Sequence, residues 1–160
     1  MPDYRVPRSA ATESLPDIIE PLADAWVESS HPAVRRRILD SATRGQRLLL
    51  AYHWYWDEVT NGGHRQYFWN YTGNLWPEAL EATRVLRLPD ANVLAAAIAL
   101  FPRRQPGHTM RERREQLRTI DREKFDQVDH RFYRLSGADG KLRRFISRHP
   151  DEFFLPRRAR

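Results

Sequence analysis

Residues Arg44 to Thr60 carry the clearest period in the chain. Leu48, Leu49, Tyr52, Tyr55, Trp56 and Val59 stand at i, i+1, i+4, i+7, i+8 and i+11, the spacing of one buried helix face. Strand signals are poor by comparison. No segment sustains an apolar–polar alternation, and no hairpin turn joins two β-branched runs. The expectation is an all-α fold, a single compact multi-helix domain of about eight helices over residues 16–155, with residues 1–15 as a flexible N-terminal tail.

The rest of the chain fills in the helices. Ile18, Ile19, Leu22 and Trp26 predict one helix or two short ones around "LPDIIEPLADAWVESS", with Pro21 as the point of a kink or restart. "PAVRRRILDSA" reads as a short helix with Val34, Ile38 and Leu39 inward and Arg35 to Arg37 outward. Asn61-Gly62-Gly63 closes the long helix, because Asn and Gly accept the left-handed conformation found past helix ends. Another helix then runs from His64 to Tyr71 and stops at Gly73, and Asn74 caps the next, with Pro77 in its first turn. Asp90 is the N-cap candidate for "ANVLAAAIALF", apolar nearly all round and so expected at the centre. Thr109 and Glu112 have capping-box spacing. Asp121 caps a helix bearing Phe125, Val128, Phe132 and Leu135, and Gly137 and Gly140 separate it from a last helix with Leu142, Phe145 and Ile146.

Several chemistries are excluded or unsupported. Cysteine is absent, which removes disulfides, thiolate metal sites and cysteine nucleophiles and fits a reducing compartment. The longest apolar run, "VLAAAIALF", falls well short of the ~20 residues of a membrane helix. The first residues lack the apolar stretch of a signal peptide. The expectation is a cytoplasmic chain with no membrane contact. The histidines at 31, 53, 64, 108, 130 and 149 form no zinc-binding spacing, and there is no nucleophile elbow or phosphate-cradling glycine loop. Asp57 and Glu58 are adjacent and point apart on a helix, which is wrong for shared acid–base work. The residues therefore assign no catalytic, metal or cofactor site, and the chain reads as no enzyme.

Charge is unevenly placed. The formal net charge is +6, yet residues 1–101 carry 10 Lys+Arg against 12 Asp+Glu, while residues 102–160 carry 17 against 9. An asymmetry of this kind marks candidates for an anionic partner. Of the basic residues 25 are Arg and 2 are Lys, a skew that suits bidentate phosphate contacts and that genome base composition equally produces. Arg111, Arg118 and Arg122 fall at i, i+7 and i+11, with Arg103 and Arg104 in the loop before. These five are the candidate polyanion contacts. Glu115 is expected on the same face, where an ion-pair network would neutralise the stripe, and no helix-turn-helix spacing is present.

The stretch "NGGHRQYFWNYTGNLWPEALEATRVL" concentrates aromatics beside a chain break. On a helix from His64, residues His64, Tyr67, Phe68 and Tyr71 share a face that reads as core. Gln66 and Asn70 share another, and their amides suit the exposed backbone ends of neighbouring helices, with a ligand or partner contact as the alternative. Together with "FDQVDHRFYRLSGADGKLRRFISRHPDEF", this stretch resembles the hallmarks of a bacterial DNA-mimic protein family, a helical domain of otherwise undefined function. The resemblance spans about residues 45–154 and rests on Asn61, Gly62, Gly63, Gln66, Tyr67, Phe68, Asn70 and Gly73, then on Asp129, Phe132 and Tyr133.

That resemblance implies an all-helical fold and a non-enzymatic role through protein contacts. In DNA-mimic members, surface carboxylates imitate phosphate spacing and occupy a DNA-binding protein. Here the net charge of +6 has the opposite sign, and His64 stands where the pattern has a large apolar residue. The reading is a helical protein-interaction module, regulatory in role, with an unknown protein partner and a homodimer as one form of it. It is similar in fold to the mimics and too basic to act as one. The alternative is a nucleic-acid or polyanion binder working through residues 103–122.

Overall fold

The computed structural model describes residues 2–9 and 14–156. Its helices are α1 (Leu15–Glu28), α2 (Pro32–Ser41), α3 (Arg44–Trp69), α4 (Trp76–Val85), α5 (Ala91–Ala99), α6 (Met110–Leu117), α7 (Arg122–Phe132), α8 (Asp139–Arg148) and the single turn α9 (Pro150–Phe153). Short 3₁₀ turns occupy Tyr71–Leu75 and Pro102–Arg104. The first eight helices have eight residues or more, and no strand occurs among the described residues. The fold is all-α. By contacts the chain divides into two compact units, Met1–Leu50 with Asp139–Arg160, and Ala51–Ala138.

In the first unit, α1 buries Ile18, Ile19, Leu22 and Trp26 on one stripe, each contributing on the order of 1.5–3 kcal/mol by leaving water. The helix passes through Pro21 without splitting, and the Ser14 N–H donates to Asp17 at 2.9 Å to hold its start. Helix α2 differs from the expected pattern. Leu39 alone of its residues is buried, and Val34 and Ile38 are half-buried. Arg35 lies inward: its Nε donates to the Trp26 carbonyl at 3.1 Å, and its guanidinium sits 5.1 Å from the Trp26 ring centroid. A long stem and a planar cation let Arg35 lie over the aromatic ring.

Part of the expected N-terminal tail packs against the rest of its unit. Tyr4 and Val6 are buried. The Val6 N–H donates to Phe153 O and the Leu155 N–H donates to Val6 O, both at 2.9 Å, in one isolated parallel bridge. Two residues of alternation are too few to read as a strand in the sequence. Residues 1 and 10–13 of that expected tail lie outside the described residues. At the other end, Gly140 falls inside α8, whose buried residues are Leu142 and Ile146.

In the second unit, Tyr52, Tyr55 and Val59 of α3 are buried and Trp56 is half-buried, as the period requires. Helix α5 buries Val93, Leu94, Ala97 and Ile98 but leaves Ala99 exposed. It is therefore a one-sided helix, because its Ala-rich face demands little burial. Thr109 and Glu112 form their capping box at 3.0 and 3.2 Å, and the Asp121 carboxylate accepts the Glu123 N–H at 3.0 Å. Phe125, Val128 and Phe132 are buried along α7, and Phe101 links Phe68 to Phe125 with ring centroids 4.7 and 6.1 Å away.

Candidate functional site

The feature that most organises the second unit is the break in α3. Gly62 has φ −157° and ψ 17°, and Gly63 has φ 78° and ψ 175°. The second of these is open to glycine and costly to any residue with a Cβ. Helical structure resumes at once and ends at Trp69, so α3 is two helices meeting at a kink, as the sequence predicts, with the second ending two residues before Tyr71. Close approach adds a second reason for the glycines. A Cβ on Gly62 would overlap the Gln66 carboxamide, and one on Gly63 would overlap the Asp129 carboxylate.

Asp129 reaches this point from α7. Its Oδ1 accepts the His64 backbone N–H at 2.9 Å and the ring Nδ1 at 2.6 Å. A carboxylate oxygen only accepts, so Nδ1 carries the proton and Nε2 accepts the Tyr55 hydroxyl at 3.0 Å. Burial lowers the His64 pKa, with the Asp129 hydrogen bond opposing it, and burial also holds the Tyr55 phenol far above its ordinary value. The chain Tyr55–His64–Asp129 is thus a neutral Tyr, a neutral His and a carboxylate. Tyr55 and His64 are fully enclosed, so the arrangement orders the core and presents nothing to a substrate. Phe132 packs against it, with ring centroids 5.9 Å from Tyr55, 4.7 Å from Trp56 and 5.7 Å from His64.

A second carboxylate bridges the break. Glu58 accepts from Gln66 Nε2 at 3.0 Å, from Asn70 Nδ2 at 2.9 Å and from Thr72 Oγ1 at 2.7 Å. Gln66 and Asn70 therefore bind a side chain of the preceding segment, where the sequence suggested neighbouring backbone. Tyr133 completes the clamp: its hydroxyl donates to the Val59 carbonyl at 2.9 Å while its ring stays 54% exposed. Asn61 is exposed and takes no part.

The far end of α3 is held by arginines. Helix C-termini leave carbonyls without intrahelical donors and carry partial negative charge. Arg113 is fully buried, and it donates from Nε to Phe68 O at 2.9 Å, from Nη2 to Asn70 O at 2.9 Å and from Nη1 to Gly107 O at 3.1 Å. Arg114 donates to Trp69 O at 3.0 Å with its guanidinium 4.8 Å from the Trp69 ring centroid. Burial pulls the Arg113 pKa down to about 10, which leaves it charged at neutral pH. Gly73 gives it room, because a Cβ there would stand 2.5 Å from Tyr67 O and 3.0 Å from Arg113 Nε.

Asp129, Phe132 and Tyr133 of the second hallmark thus meet the first at the break in α3, with Asn61 apart and Gly73 at the far end, and the sequence pattern of the DMP19-like protein family matches residues 40–149. The chain belongs to the DMP19-like family. Neither the curated proteins nor the solved structures yield a match.

Elsewhere on this DMP19-like chain, the five candidate polyanion residues do not form one face. Helix α6 ends at Leu117 with Arg118 as its C-cap, and Arg122 opens α7. The expected stripe continued a helical period across a chain reversal that the Asp121 cap already signals. Arg111, Arg118 and Arg122 are exposed, and no ion pair joins them to Glu115 among the described residues. Arg103 and Arg104 stand apart on the Pro102–Arg104 turn, both with φ 56°.

Glu58, His64 as a hydrogen-bonding residue, and Arg113 were all missed by the sequence reading. Arg113 did carry a signal, since it lies four residues before Leu117 on the inward face of α6. Asn74 was expected to cap α4, but Leu75 occupies that position. Among the described residues no group of three or more His, Asp or Glu could hold a metal ion, and no helix is long and apolar enough to cross a membrane.

Proposed function

We propose that this DMP19-like chain is a non-enzymatic protein-interaction module, regulatory in role and cytoplasmic, whose partner presents acidic surface. The supporting observation is the direction of its polar groups. Glu58, His64, Asp129 and Arg113 spend their hydrogen bonds on one another's helices, whereas the arginines left outside at 103, 104, 111, 118 and 122 are exposed. A DNA mimic needs the reverse, with carboxylates outside in phosphate-like spacing. At net +6 the surface is complementary to an acidic protein face, and such complementarity governs encounter rate and partner choice.

Pull-down from native lysate combined with light scattering tests this reading. A stable acidic protein partner is expected, bound to the chain as a monomer or as a homodimer. A monomer that retains nothing removes the reading.

The second reading, a nucleic-acid or polyanion binder, draws support from the lack of ion pairs at Arg111, Arg118 and Arg122 among the described residues. Gel-shift titration with mixed DNA and RNA at increasing salt decides it. Binding that strengthens as salt falls, with a salt slope that flattens when the three are changed together, would favour this reading. No shift at low salt ends it.

A further inference from the structure

Helices α4 and α5 and the turn after α5 enclose a cleft of about 470 Å³, within the ~300–1,000 Å³ typical of small-ligand pockets. Its floor is apolar, formed by Leu80, Ala95, Ile98 and Ala99. Arg84, Arg103 and Arg104 line its edge, and no Asp or Glu lines it among the described residues. None of the three guanidinium groups makes an ion pair or side-chain hydrogen bond with the described residues.

The turn that carries two of them is held in an unfavourable backbone conformation. Arg103 and Arg104 are consecutive non-glycine residues at φ 56°, a region that costs residues with a Cβ and that persists only where the surroundings enforce it. The surroundings here do so. Phe101 and Pro106 on either side are buried. The Arg104 N–H donates to Phe101 O at 2.8 Å, and Gln116 accepts the Gly107 N–H at 2.8 Å while donating to Gln105 O at 3.1 Å. Glycine at both positions would relieve the strain, yet the chain carries two cations there.

We propose that this cleft binds a small anion with an apolar body, its carboxylate or phosphate held by Arg84, Arg103 and Arg104 and its hydrocarbon laid on Leu80, Ala95, Ile98 and Ala99. An extended nucleic acid fits this site less well, because the one aromatic among its described lining residues, Trp76, is half-buried and stacked on His108 with ring centroids 5.7 Å apart, which leaves no row of platforms for successive bases. The inference shares Arg103 and Arg104 with the surface proposed above for an acidic partner, but its test reads a small ligand and not a protein. It concerns a site on α4 and α5 that pull-down results neither support nor remove.

Calorimetric titration with decanoate below its micelle range tests it. Saturable one-to-one binding is expected, with decylammonium and inorganic phosphate each at least about tenfold weaker, a difference of ~1.4 kcal/mol. The double variant Arg103→Gly/Arg104→Gly suits its backbone better than the natural residues, so its melting temperature should hold or rise while decanoate binding falls about tenfold or more, as loss of two charge-assisted contacts implies. Ala99→Glu, on an exposed helix position, should abolish decanoate binding without unfolding the chain. Equal binding of decylammonium overturns the proposal, as does full affinity in both variants, or no saturable decanoate binding in the natural protein.

Discussion

The Asp129 carboxylate accepts two hydrogen bonds from His64, the backbone N–H at 2.9 Å and Nδ1 at 2.6 Å, while occupying the space that a Cβ on Gly63 would need. One side chain thereby explains two adjacent positions of the family hallmark. The glycine leaves room for the carboxylate, and the next residue's N–H, freed from the helix by the break, finds its acceptor there.

Replacing His64 with Phe keeps an aromatic ring in the core but strands the enclosed Tyr55 hydroxyl. His64→Phe should cost about 1–3 kcal/mol in urea unfolding, the desolvation of an unsatisfied buried group. The double variant Tyr55→Phe/His64→Phe should recover part of that loss. If it recovers none, the Tyr55–His64 bond does not operate as drawn.

The same residue sets an acid dependence. Burial depresses the His64 pKa, so the unfolded chain takes up this proton near ~6.5 while the folded chain resists it. The unfolded state then binds more protons, and stability falls as pH drops below ~6.5. Burial shifts His53 the same way. Asp90 acts oppositely, since burial raises its pKa, but its window opens near ~3.9 and above. Urea midpoints between pH 7 and pH 5 should decline in the natural protein and decline less in His64→Gln. A flat profile in the natural protein would refute the assignment.

Arg113 should be among the costliest positions to change. Arg113→Met leaves the carbonyls of Phe68, Asn70 and Gly107 without their donor, for an expected loss of about 3 kcal/mol or more in urea unfolding. Arg113→Lys should rescue only part, because an ammonium cannot reproduce the planar fork. Full rescue by Lys would mean that charge alone, and not the three-point geometry, holds the end of α3.

Helix α4 ends in a pattern that sequence reading did not single out. The Leu88 N–H donates to Thr83 O at 2.8 Å and the Arg87 N–H to Arg84 O at 3.1 Å, with Arg87 at φ 50°. This is a Schellman closure with Arg where glycine is usual. Arg87→Gly should be more stable than Arg87→Ala by about 0.5–1 kcal/mol in urea unfolding, since both remove the side chain's interactions and only glycine relieves the left-handed cost, less its added chain entropy. Equal stability of the two variants would show that this backbone position carries no strain.

What the sequence revealed follows a physical division. The face Leu48, Tyr52, Tyr55, Val59 was legible because apolar burial repeats with the helix period and needs no partner to be named. The Thr109 and Asp121 caps were legible because each bonds within three residues. Glu58 was not, since its three donors lie 8, 12 and 14 residues away, across a break whose angle sets who meets whom. The distant acceptors of Arg113 were hidden for the same reason, although its place four residues before Leu117 marked it as inward, and residues 111–122 misled because Arg and Glu favour helix so evenly that the end of α6 left no Gly or Pro behind.

The central claim is that the hallmark residues build the α3 junction. The most direct test is a double-mutant cycle in urea unfolding on Gly63→Ala and Asp129→Ala. Gly63→Ala alone should cost about 1–3 kcal/mol through the left-handed backbone and the clash with the carboxylate, and Asp129→Ala should cost a similar amount by releasing His64. Because removing Asp129 also removes the clash, the double variant should lose clearly less than the sum, by about 0.5 kcal/mol or more. Additive losses, or a Gly63→Ala protein as stable as the natural one, would contradict the account.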